Sequence, residues 1–557
     1  MTKQNKTRQV NLFLRSKFFK KGVLALSLGL MITSCQNEDL SSQTSNVNGE
    51  DPEILFESIN LNENGKLKLK FAEAFSNALI ANKDLRRLVK DEALKKFNKD
   101  YDVLYLTVKN KALNPTDYLE NSNNKTAKIL LQKSASALTF RQALLPFFSS
   151  EAELIEIEQK LPLLTIFVPE LPLGAFSAET WDVNDDSQIP DVALRLDNTN
   201  NVPAIGKDGS KYVIEADLTP GFPIIVIKEN ERIRIKASKS TINARTSQID
   251  GFEYLDDNFD PGMWVPTPII NYAIISDPLL VDAYSIWNGN DGWQRDYIYH
   301  GLKPGVTKGP LNRNYSEHIA TFKLIGDPKI AFNTISVNST AGDLDPQQNK
   351  EYRLGGSGWT DGDFEFTMYC YYGSKPNDTG ESDIKKFGLK PDDLFEMTHT
   401  KFTRGSWFLK KTYFRTEIVA TKEINFRDPK YKQTLQLVSW DLSKYGADWQ
   451  FKFEEYDTTV EHNIAESKTT KIALNVGLEL SGTIFEVVKS LVKFGASQET
   501  TKANSYNLKF TTTSNPLGSS TVSFYNNAVN NISNQLAPRK YTTGSVEFSI
   551  IPIRVQW

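Results

Sequence analysis

A change of hydrophobic period at Pro162 constrains this chain more than any other feature. Before it, apolar residues recur at the spacing of one helix face. Phe71, Phe75, Ala78 and Leu79 form one such set. Asn82 is placed to cap a second helix carrying Leu85, Leu88, Val89, Leu94 and Phe97. A third segment spans Thr126 to Leu131, and a fourth passes through Phe140, Leu144 and Leu145. Ser150 with Glu153 three positions on reads as a capping box, opening a helix through Leu154, Ile157 and Leu161. After Pro162 the patterns become those of strands: Leu163–Val168, Asp191–Leu196 and Lys211–Glu215. Pro223–Lys228 and Arg232–Lys236 flank Glu229, Asn230 and Glu231, which predicts a β-hairpin.

Helical and strand patterns that occupy separate stretches predict an α+β chain of several domains. A small helical N-terminal domain (54–161) is followed by mainly antiparallel, sandwich-like β domains. The first of these is 162–237. Residues 238–309 read as a linker and an irregular aromatic and acidic region, with one helix through Leu280, Ala283, Tyr284 and Trp287. Residues 310–557 are expected to form a β-rich C-terminal region of one or two domains. Its strands are predicted at Ile319–Leu324, Asp363–Tyr372, Trp407–Ile418, Leu435–Asp441, Trp449–Tyr456 and Ser545–Trp557. Ile472, Leu474, Val476, Leu478 and Leu480 alternate as a half-buried strand does. Thr483–Phe494 then gathers Ile484, Val487, Val488, Leu491 and Val492 on one face, as an amphipathic helix does, and Gly495 stops it.

The N-terminus carries a different kind of information. Lys3, Lys6, Arg8, Arg15, Lys17, Lys20 and Lys21 precede an apolar run from Val23 to Ile32. That run is too short to cross about 30 Å of hydrocarbon, so it reads as a secretory signal (1–34). Ile32-Thr-Ser-Cys35 resembles the lipobox of bacterial lipoproteins. The resemblance implies acylation of Cys35 and attachment to a membrane through the acyl chains. Two or more chains hold stably where one holds marginally. Gln36 after the cysteine favours the outer membrane. Asn37, Glu38 and Asp39 look like the acidic export signal of Bacteroidota surface lipoproteins, which implies display on the cell surface. Residues 35–53 are polar and form a flexible tether.

The remaining residues exclude several chemistries. The net charge is −3 with the basic leader included, so nucleic acid is not an expected partner. With Cys35 used by the anchor, the other cysteine, Cys370, has no disulfide partner and reads as a small core residue. The histidines, His300, His318, His399 and His462, show no zinc-site spacing. Gly355-Gly-Ser-Gly358 lacks the spacing of a nucleophile elbow. There is no phosphate loop and no dinucleotide fingerprint.

Acidic loops are the candidates that remain. Asp185, Asp186 and Asp191 sit together, as do Asp256, Asp257 and Asp260, and also Asp291 and Asp296. Clustered loop carboxylates suit calcium, and paired carboxylates suit glycoside hydrolysis. The alternative is that they are turn and cap residues. Trp264, Trp287, Trp293, Trp359, Trp407, Trp440 and Trp449 serve equally as a core or as a binding platform. Thr458–Phe524, rich in Ser and Thr, resembles the insertion region of aerolysin-type β-pore-forming toxins.

The chain as a whole resembles large Bacteroidota surface lipoproteins. The leading expectation is a lipid-anchored envelope protein that binds a protein or a glycan, without a cofactor. A hydrolase using loop carboxylates, with or without calcium, and a membrane-active protein are the alternatives.

Overall fold

The computed structural model describes residues 56–113, 138–196, 199, 201–236, 249, 251–263, 275–288, 293–336, 358–373, 381–405, 410–441, 444–445, 448–456, 474–476, 506–508 and 516–555. All of them fall in one compact unit, Glu50–Trp557. The leader with Cys35, the expected helices at Thr126–Leu131 and Thr483–Phe494, Trp264, Trp407, Asp291 and His462 lie outside the described residues. The chain adopts the expected class, with helices mostly in the first part and antiparallel sheets after them.

Helix α1 (Glu63–Ala81) starts where the Asn62 side chain accepts from the Gly65 N–H at 2.7 Å. Its buried face carries Leu67, Phe71, Phe75, Ala78 and Leu79. Asn82 ends α1 and caps α2 (Lys83–Leu94), its side chain accepting from the Asp84 and Leu85 N–H groups. At α3 (Glu151–Lys160) the expected Ser150–Glu153 box does not form. Glu153 accepts from the Ser149 N–H, but the Ser150 hydroxyl makes no cap. A full box forms at the preceding helix, Phe140–Leu144, between Thr139 and Gln142.

These helices lie on a six-stranded sheet. Its strands are β1 (Asp102–Leu104), β2 (Leu164–Phe167), β3 (Asp191–Leu194), β4 (Val202–Ile205), β5 (Lys211–Ile214) and β7 (Ile224–Glu229), ordered β1-β2-β7-β3-β4-β5. Leu218–Pro220, β6, belongs to another sheet. Every pairing in the six-stranded sheet is antiparallel except β3 with β7. Helix α1 packs on β3, β4 and β7, and one core runs from Leu67 and Phe71 through Val192 to Ile227. The expected hairpin around Glu229–Glu231 does not form. Both edges of β7 are taken, by β2 and β3, so the chain runs on. Its continuation β8 (Ile233–Ile235) pairs with β9 (Phe252–Tyr254).

Helices α4 (Pro278–Trp287) and α5 (Gln294–His300) follow, the second inside the stretch expected to be irregular. Strand β10 (Tyr315–Leu324), helix α6 (Pro328–Ser336) and strands β11 (Phe364–Gly373) and β12 (Glu381–Leu389) come next. A long hairpin, β13 (Phe395–Arg404) with β14 (Lys411–Thr421), leads to β15 (Ile424–Asn425) and β16 (Asp448–Glu455). Strands β17 (Leu474–Val476) and β18 (Tyr506–Leu508) pair with each other. The chain closes with β19 (Pro516–Ser523), β20 (Val529–Ile532), β21 (Gln535–Pro538), β22 (Lys540–Thr543) and β23 (Val546–Arg554). Leu435–Asp441 is not a full strand. It runs beside β10 through a single bridge, Gln436 with His318, and a few backbone bonds.

Two four-stranded antiparallel sheets, β15-β10-β23-β22 and β12-β11-β16-β19, form a sandwich. Aromatic rings fill it. Phe322 on β10 lies 5.2 Å from Phe366, 5.5 Å from Phe387 and 5.7 Å from Phe453, centroid to centroid. Phe548 on β23 meets Phe453 at 4.9 Å. A third sheet, β13-β14-β6, joins the parts, with Phe414 opposite Thr219. Among the described residues no helix is long and apolar enough to cross a membrane.

Candidate functional site

The acidic residues singled out from sequence serve local structure. Asp185 accepts from the Ser187 N–H at 2.8 Å, and the Ser187 side chain together with that N–H holds its carboxyl below the usual range. Asp186 pairs with Arg86 at 2.9 Å. Asp191 is buried, accepts from the Tyr212 hydroxyl at 2.6 Å and the Lys207 N–H at 2.9 Å, and pairs with Lys411. Asp256 accepts from the Asn258 and Lys386 N–H groups, while burial pushes its carboxyl up. Asp257 opens the short turn Asp257–Phe259, and buried Asp260 accepts from the Gly262 N–H. Among the described residues, no three His, Cys, Asp or Glu side chains are grouped to hold a metal ion.

The other candidates are also packed. Trp440 and Trp449 are fully buried, and Trp287 and Trp293 nearly so. Cys370 is a buried free thiol inside the sandwich, pushed up by burial and therefore held as the unreactive thiol. His318 lies beside the Ser316 hydroxyl, and burial pushes it down to about 3. His399 touches the Thr416 hydroxyl at 2.9 Å. Burial holds both His399 and half-buried His300 below the ordinary imidazole value. Asp296 on α5 is buried, and one carboxyl oxygen has no hydrogen-bond partner. Burial alone pushes it up to about 7.

The densest group of perturbed side chains was not visible as a motif. It lies where the six-stranded sheet meets the strand β11 of the sandwich. Beyond α2 the chain turns through Lys96 and Lys99, both with positive φ, into β1. That turn buries Asn98, whose side-chain amide donates to Asp102 at 2.8 Å. Asn230, just past β7, donates to the same Asp102 oxygen at 3.0 Å and accepts from the Arg232 N–H. The Arg232 guanidinium is buried. Its Nε donates to Glu365 at 2.7 Å, one Nη to the Asn98 carbonyl at 3.0 Å, and the other lies 2.9 Å from Asp363 and 3.7 Å from Asp100. Its plane covers the Phe259 ring at 5.3 Å. Lys228, equally buried, donates to the Asp361 carbonyl at 2.6 Å and to Glu231 at 2.9 Å, and lies 3.7 Å from Asp102. Arg195 holds the Asp361 carboxylate at 3.0 Å.

The backbone makes room for this approach at glycines, most tightly at Gly362. Gly362 has φ +94°, and a Cβ there would lie 2.0 Å from an Asp100 carboxyl oxygen. Burial of charge without full neutralisation shifts the carboxyls. Glu365 is pushed up to about 8 and Glu231 to about 7, in each case by burial, against the pull of Arg232 and Lys228 respectively. Asp102 and Asp363 move in the same direction for the same reason. Burial and the nearby Arg232 lower Lys99 to about 8. Chemically, this junction is a network of acids and bases that ties the six-stranded sheet to β11. One local signal points to it: the charged run Lys228–Arg232 directly follows the wholly apolar run Ile224–Ile227, without a Gly or Pro turn.

No family model, no curated protein and no solved structure matches the chain.

Proposed function

We propose that this chain is a lipid-anchored protein of the cell envelope, held in the outer membrane through acylated Cys35 and facing the cell surface, where it binds a protein or a glycan. The observation that carries the reading is the leader: a basic run, a short apolar stretch and Ile32-Thr-Ser-Cys35, followed by a polar tether. The fold beyond the tether is a fitting scaffold. Among the described residues, most of its acidic candidates are committed to caps and ion pairs, and most of its candidate tryptophans to the core. The β13–β14 hairpin presents Thr398, Thr400, Arg415, Glu417 and Val419 outward on one exposed face. Such a rigid face of hydroxyls, opposite charges and one apolar side chain suits contact with a polar partner.

Two measurements test this. Cys35→Ala should leave an unacylated precursor of higher mass, and normally sized, acylated product from that variant would overturn the anchor. Protease treatment of intact cells should digest the protein while a periplasmic control survives. Protection until the outer membrane is opened would place it on the inner side and redirect the search to envelope partners.

One observation favours a second reading, a membrane-active protein. Leu474–Val476 and Tyr506–Leu508 pair antiparallel within the Ser/Thr-rich stretch. That reading requires the protein without its anchor to release dye from liposomes.

A further inference from the structure

The buried junction holds more acid than base. Asp100, Asp102, Glu231, Asp361, Asp363 and Glu365 face the cations Arg195, Lys228 and Arg232. Strand β1 contributes Asp102, with Asp100 just before it. Strand β7 contributes Lys228, and the segment beyond β7 contributes Glu231 and Arg232. The segment entering β11 and β11 itself contribute Asp361, Asp363 and Glu365. The outer rim adds Lys99, which senses Asp256, Asp260 and Lys432, and Lys390, which senses Asp363 and Asp100 and pairs with Glu170.

With every carboxyl ionised, this cluster would carry an excess of negative charge around buried Lys228, Arg232, Asp102 and Glu365, with Glu231, Asp361 and Asp363 half-buried at its edge. Such an excess is expensive to bury. Two neutral carboxylic acids nearly restore the balance, and Glu231 and Glu365 are best placed for that. Each touches one cation, Glu231 at Lys228 and Glu365 at Arg232, and each senses further carboxylates behind it.

We propose that this junction is a proton-linked latch, in which neutral Glu231 and Glu365 keep the six-stranded sheet closed on β11 and their ionisation loosens it. The sign follows from proton binding. Both groups hold protons more tightly in the closed form than in water, so the closed form is favoured at low pH. It weakens as pH rises from the ordinary glutamate value through about 7 for Glu231 and about 8 for Glu365. Lys228 and Arg232 are raised and stay charged throughout this window. Lys99, lowered to about 8, titrates only at its upper end.

Hydrogen exchange of the full chain, followed by mass spectrometry from pH 5 to 8 and corrected for intrinsic exchange, tests the latch. Peptides covering residues 98–104 and 361–367 should open more with rising pH, by up to about tenfold per pH unit for each proton released. Peptides from β23, packed beside the helix that carries Asp296, should follow less steeply than the junction. The double variant Glu231→Gln with Glu365→Gln should show the same junction protection across the range. A pH slope shared equally by the junction and β23, or one retained in the double variant, would overturn the proposal. Should that variant not fold, the contrast between junction and β23 in the natural chain decides alone.

Discussion

Replacing Arg232 by Met tests how much of the stability passes through one guanidinium. The side chain is buried and serves Glu365 at 2.7 Å, Asp363 at 2.9 Å and the Asn98 carbonyl at 3.0 Å. Methionine fills much of the volume but leaves two carboxyls and one carbonyl without their donor. Removing one partner of a buried pair costs about 3–5 kcal/mol, because an uncompensated charge stays behind. Glu365 escapes part of this by remaining protonated near neutrality. The expected loss at pH 7 is therefore at the lower end, about 3 kcal/mol. It should be smaller at pH 5 and larger at pH 8, since both carboxyls lose the cation that pulls them down. Urea unfolding of the full chain reads this as a lower midpoint with unchanged slope. Adding Asp363→Asn to Arg232→Met should recover part of the loss, as coupled neighbours do. A loss of under about 1 kcal/mol, or two losses that simply add, would refute the reasoning.

Two further outcomes follow from the sandwich and from α5. Phe322→Ala removes the ring that meets Phe366, Phe387 and Phe453, and should cost about 3–5 kcal/mol in the same unfolding assay. Asp296→Asn should be nearly neutral below the ordinary aspartate value and increasingly stabilising from there to about pH 7. The natural carboxyl prefers its proton in the folded chain up to about 7, so its contribution falls as pH rises from the ordinary aspartate value, by up to about 1.4 kcal/mol per pH unit. An unchanged pH dependence of the melting temperature in Asp296→Asn would show that Asp296 has a partner after all.

What could be read from the residues is what depends on near neighbours. The face of Phe71, Phe75, Ala78 and Leu79 and the Asn82 cap are set within a few positions, and the chain adopts them as expected. So are the strands around Phe322, Phe366, Phe453 and Phe548, whose inward sides alternate. Pairing is different, because an edge is filled by a segment from elsewhere. Glu229–Glu231 has the composition of a turn, yet β7 already has two neighbours, and Arg232 is drawn toward Glu365 on a strand more than a hundred positions away. Leu435–Asp441 has a strand's composition but shares β10's edge only in part. The acidic candidates were legible as loops, and Asp185 and Asp256 do cap short turns. The junction was not legible, since a charged run after a strand normally means solvent. Only the folded chain brings Asp100, Arg232 and Asp363 together.

The small sheet that joins β6 to the β13–β14 hairpin bears on how the molecule is made. Leu218–Pro220 waits for Tyr413–Arg415, a partner synthesised long after it. Until then β6 is an open edge, and an open edge invites pairing with another chain. Contacts this distant in sequence also close slowly. The first half therefore gains its last strand neighbours only when the second half has emerged. A fragment ending near residue 237 would keep that edge and lose Asp363 and Glu365, which pair with Arg232. Truncation at the apparent boundary in the sequence would yield an aggregation-prone piece rather than a separable module.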